Sequence, residues 1–72
     1  MNFPARLKQL RRERGLTQLQ VATALGVVDR TLRKYEVGEI APTLPVLIAL
    51  ADFFGVSLDY LAGRTDRPEV NR

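Results

Sequence analysis

Apolar residues along this chain recur at intervals of three and four, and glycines cut the rhythm into short blocks. Leu7 and Leu10 lie three apart; Val21, Ala22 and Leu25 share one face; Leu32 pairs with Tyr35. A longer stripe follows, Leu44, Leu47, Leu50, Ala51 and Phe54, and then Leu58 and Leu61. That spacing is the period of an α-helix. Alternation of apolar and polar positions with β-branched content never lasts four residues, so no strand is predicted. Gly15, Gly26, Gly38, Gly55 and Gly63 each follow a helical block, where a left-handed residue ends a helix.

Start signals stand in front of the blocks. Phe3-Pro4 opens the first helix, since proline is tolerated in the first turn. Thr17-Gln18-Leu19-Gln20 is a capping box that opens the second. Thr43 caps a fourth, with Pro45 in its first turn, and Ser57 caps a short fifth that ends near Ala62. The prediction is an all-α domain of five short helices over residues 1–63. Residues 64–72 are polar, contain Pro68, and read as a flexible tail.

The third helix, numbered from Asp29, has two unlike faces. At about 100° per residue, Asp29, Arg30, Arg33, Lys34 and Val37 fall between roughly 0° and 140°. Thr31, Leu32 and Tyr35 fall between roughly 200° and 300°, with Glu36 at the border. One face enters a core and the other presents three cations together. The link from the second helix, Gly26-Val27-Val28, is three residues and begins with glycine. Two short helices joined in this way form a helix-turn-helix, here over about residues 17–37, whose second helix enters the DNA major groove.

Charge supports a polyanion on that side. Residues 1–38 hold eight Lys or Arg against three acids, whereas residues 39–72 hold three against five, within a net charge of +3. The chain of 72 residues is one small domain, too apolar at 46% hydrophobic for a disordered segment. It has no cysteine and no histidine, which excludes disulfides, thiolate or imidazole metal sites, and imidazole acid–base chemistry. With Ser57 the single serine, no nucleophile–base set exists, and no enzyme is predicted. No cofactor or metal is expected. No apolar run reaches a membrane span, and the start lacks an apolar signal core, so a cytoplasmic protein is expected.

The segment Leu16 to Gly63 resembles the Cro/C1-type helix-turn-helix domain of phage repressors and the Xre transcriptional regulators, a lambda-repressor-like fold. The resemblance rests on Leu16-Thr17-Gln18, Ala22, Leu25-Gly26-Val27, Tyr35-Glu36, Gly38, Pro42, Leu44, Leu47, Ala51 and Gly55-Val56-Ser57-Leu58. It implies base reading by Asp29, Arg30 and Lys34. It implies backbone contacts by Gln18, Thr31, Arg33 and Arg11. It also implies a structural ion pair between Arg11 and Glu36. Arg6, Lys8, Arg12 and Arg14 read as a solvated face. Relatives carry Ser or Thr where this chain has Val28, and losing a helix cap costs about 1 kcal/mol. Asp29, the next residue, is expected to supply the missing acceptor, and it can alternatively accept from a cytosine amino group.

The function implied is a sequence-specific regulator that binds double-stranded DNA, most simply a repressor acting as a homodimer on a near-palindromic operator. Ile48, Phe53 and Tyr60 lie outside the main apolar stripe and are the candidate dimer contacts. The alternative is an antitoxin or interaction module whose main partner is a protein, with Leu19, Val37, Ile48 and Phe53 as its apolar candidates. The length leaves no room for a ligand-sensing domain, so control is expected through concentration, degradation or a regulatory partner protein.

Overall fold

The computed structural model describes residues 1–70. It contains α1 (Phe3–Glu13), α2 (Gln18–Leu25), α3 (Asp29–Val37), α4 (Leu44–Phe54) and α5 (Leu58–Leu61), and no strand among the described residues. The five predicted helices are all present. Their stops are as the glycines indicate: Gly26, Gly38 and Gly55 are left-handed C-caps of α2, α3 and α4.

The starts follow local chemistry. Asn2 caps α1, its side chain accepting from the Ala5 N–H at 3.1 Å. The Thr17 hydroxyl accepts from Gln20 N–H at 3.0 Å and the Gln20 side chain accepts from Thr17 N–H at 2.8 Å, completing the capping box. Thr43 and Ser57 cap α4 and α5.

Each helix sends one large side chain wholly out of solvent: Leu7, Val21, Leu32, Leu50 and Leu61. Around them pack Leu10, Tyr35, Phe54 and Val56. Removing such side chains from water is the main favourable term in folding, about 1.5–3 kcal/mol for each Leu or Val. α3 packs on both α1 and α2, so two helices fix its orientation.

Burial departs from expectation at three positions. Leu44 and Leu58 are exposed, because each is the first residue of its helix and reaches past the edge of the core. Tyr60 is the reverse case. It is buried in the core and is withdrawn as a dimer contact.

Arg6 explains part of this. It is 3% exposed, and its guanidinium carbon lies 3.7 Å from the Tyr60 ring centroid, in cation–π geometry. Its Nη2 donates to the Thr65 carbonyl at 3.1 Å, holding the segment after α5. Arg14 donates to the Phe54 carbonyl at 2.6 Å, satisfying an orphan acceptor at the end of α4. Arg6 therefore does not belong to a solvated face, whereas Arg14 is exposed as expected, with its Nη2 tied to that carbonyl. Arg12 is exposed and Lys8 half-buried. Beyond Gly63, Ser57 N–H donates to the Pro68 carbonyl at 2.9 Å. The final stretch of the expected tail, 71–72, lies outside the described residues.

Candidate nucleic-acid interface

The turn between α2 and α3 is set by backbone bonds. Gly26 N–H donates to the Thr23 carbonyl (3.2 Å) and Val27 N–H to the Ala22 carbonyl (3.0 Å). Gly26 has φ +75°, where a Cβ would be strained. Val27 then turns inward onto the core. α3 therefore leaves the turn in a fixed direction, its inner face held by Leu32 and Tyr35.

The outer face carries the cations. Arg30 and Arg33 are exposed, and neither has an acidic partner among the described residues. Lys34 is half-exposed; its Nζ is 3.9 Å from Glu39, a long surface contact worth little. Thr31 is half-buried at the edge of this face. The three cations lie on one exposed side of one helix, uncovered by the protein's own packing.

Arg11 and Glu36 meet. Arg11 Nε donates to Glu36 Oε2 at 2.6 Å and Nη2 to Oε1 at 3.1 Å, a two-pronged contact. Arg11 Nη1 also donates to the Leu16 carbonyl at 2.9 Å. Gln18 Nε2 donates to Glu36 Oε1 at 3.1 Å. The carboxylate, in a residue only 5% exposed, thus joins α1, the start of α2, and α3. Gln18 is oriented by this bond; an amide nitrogen has two N–H donors, so one remains for an outside acceptor.

The start of α3 differs from expectation. Val28 is the N-cap and makes no side-chain cap bond. Asp29 is exposed and accepts no cap bond either, so it does not replace the missing cap. It is the first helical residue, and the capping geometry belongs to the residue before it, Val28. Its charge remains favourable at a helix N-terminus. Thr31 and Leu32 N–H donate to the Val28 carbonyl at 3.0 and 3.3 Å.

Local patterns in the sequence did not flag Arg6 or Arg14, because Thr65 and Phe54 lie 59 and 40 positions away. No group of three or more His, Cys, Asp or Glu able to hold a metal occurs among the described residues. None of their helices is long and apolar enough to cross a membrane.

Known proteins are similar to this chain in sequence and in fold. An HTH-type transcriptional regulator of Bacillus subtilis, YobD, is 39% identical over 64 residues, which are 89% of this chain and 57% of that protein. The cryptic phage CTXphi transcriptional repressor RstR of Vibrio cholerae is 38% identical, with the same two shares. A transcriptional regulator of Listeria innocua has a crystal structure that superposes with TM-score 0.83 at 40% identity, covering 88% of this chain and 59% of that one. The P22 c2 repressor, solved with a synthetic operator, superposes at TM-score 0.84 with 23% identity, over 90% of this chain and 98% of that one, and so shares the fold. The chain spans a little over half the length of the curated relatives named here. The family model described as Helix-turn-helix matches residues 7–61, and with this geometry behind the match, the chain belongs to the helix-turn-helix family.

Proposed function

We propose that the chain is a sequence-specific regulator of transcription that binds double-stranded DNA, most simply a cytoplasmic repressor. The observation that carries this reading is the outer face of α3, where Arg30 and Arg33 stand exposed and Lys34 half-exposed on a helix whose inner face is buried. A helix fits the major groove, which is about 12 Å wide. Arg30 and Lys34 read base edges, with guanine O6 and N7 their natural acceptors, and Asp29 accepts from a cytosine amino group. Arg33, Thr31 and the free N–H of Gln18 meet phosphate; Arg11 chiefly holds Glu36 and with it the angle of α3. That the relatives named above are a transcriptional regulator and a transcriptional repressor supports the reading.

A homodimer on a near-palindromic operator supplies the discrimination that one short helix lacks. Ile48 and Phe53, both about two-fifths exposed on α4, are the candidate contacts; five positions apart, they flank the buried stripe on opposite sides, about 140° apart, and the exposed Leu44 lies nearer in angle to Ile48. The same exposure, with Leu19 and Val37, favours a second reading in which this surface docks a regulatory partner protein, as an antitoxin does.

The test is affinity for duplexes selected from a random pool. Replacing both Arg30 and Lys34 by alanine abolishes discrimination between selected and scrambled duplexes and leaves the thermal unfolding midpoint within error, because neither side chain supports the core. Full sequence-specific affinity in that double variant would refute the reading. A steep fall of binding with salt distinguishes phosphate contact from apolar docking.

A further inference from the structure

Val28 occupies a position where a valine does nothing for the fold. It is the N-cap of α3, in extended backbone (φ −78°, ψ 154°), with no side-chain cap bond. Ser, Thr, Asp or Asn there would accept a backbone N–H, and forgoing that acceptor costs about a fivefold shift in the folding equilibrium. The side chain is not recovered by packing, for it is 59% exposed, while its neighbour Val27 turns into the core. The Val28 carbonyl is engaged by Thr31 and Leu32 N–H, and the side chain makes no bond of its own. It stands at the end of the helix that leads into a groove, immediately before Asp29 and Arg30.

We infer that Val28 is a specificity-determining residue that reads the C5-methyl group of a thymine. This inference rests on the proposed DNA-binding function. An isopropyl group neither donates nor accepts a hydrogen bond. Of the features a base pair shows in the major groove, only the thymine methyl complements it. Valine is also stiff at χ1, so ordering it at the contact loses little rotamer freedom.

Thymine-to-uracil replacement deletes that methyl and nothing else. Each thymine of the selected duplex is replaced in turn and binding measured by anisotropy. For the unaltered chain, one replacement in each half-site weakens binding roughly fourfold, the worth of one buried methylene. Val28→Ser restores a cap, raises the unfolding midpoint by roughly 4–8 °C, and binds the thymine and uracil duplexes equally. A flat uracil scan with the unaltered chain overturns the inference while leaving the regulator reading intact. So does a Val28→Ser variant that keeps the methyl preference. If selection yields no preferred duplex at all, the regulator reading itself falls.

Discussion

Glu36 carries more of the structure than its place at the border of a helical wheel indicates. Its carboxylate accepts from Arg11 twice and from Gln18 once, in a residue almost closed to water. Removing one partner of a buried pair strands the other, which costs about 3–5 kcal/mol. Glu36→Ala is therefore expected to lose a large part of the stability of a domain this size, read from the midpoint of urea unfolding. Arg11→Met combined with Glu36→Leu leaves no stranded charge and should recover most of the loss. If the single variant unfolds at the unaltered midpoint, the network is only a surface pair. The pairing itself was visible in the resemblance. What was not visible is that Gln18 shares the same carboxylate, since nothing local links positions 18 and 36. Arg6 was misread for a related reason. A long cationic side chain usually lies in solvent, and only the fold brings Tyr60 against it.

At the scale of elements, sequence and structure agree most closely, because helix ends are local chemistry. Caps and left-handed glycines act over four residues, and each is written in the chain beside the end it makes. The faces were less legible. A wheel gives Leu44 and Leu58 the right angle, but it ignores that they stand at the first position of their helices, beyond the core. Asp29 failed as a cap because capping requires one particular backbone position, which Val28 holds. The glycines are not equivalent either. At Gly26 a Cβ would meet nothing within 4 Å, so Gly26→Ala costs only the left-handed strain, about 1–2 kcal/mol. At Gly63, with φ +81°, a Cβ would stand 1.9 Å from the Met1 carbonyl oxygen and 3.0 Å from the Asn2 Cα. Gly63→Ala adds displacement of Met1 and Asn2 to that strain, and with it the Asn2 cap of α1, worth about 1 kcal/mol more. Urea midpoints of the two variants should therefore differ, Gly63→Ala being the less stable. Equal losses would mean that the first two residues step aside at no cost.

At the scale of the whole molecule, the unequal charge of the two halves and the exposed apolar side chains of α4 give one domain two kinds of surface, cationic on α3 and apolar on α4. Whether two chains act together on one duplex can be counted through salt. Each phosphate neutralised by a side chain releases counterions and adds about 0.9 to the slope of log affinity against log salt. Arg33 is exposed, unpaired among the described residues, and assigned to phosphate rather than to a base. Arg33→Ala should weaken binding to selected and scrambled duplexes alike, without changing which is preferred. If one chain binds, the slope falls by about 0.9; if a dimer spans two half-sites, it falls by about 1.8, because the contact is lost twice. Adding a charge at Ile48 (Ile48→Glu) disrupts an α4 contact face while leaving α3 untouched, so the loss caused by Arg33→Ala in that background should shrink to the single-chain value. A slope unchanged by Arg33→Ala would remove this residue from the phosphate contacts, and a decrement that stays near 1.8 in the Ile48→Glu background would move the dimer contact away from α4.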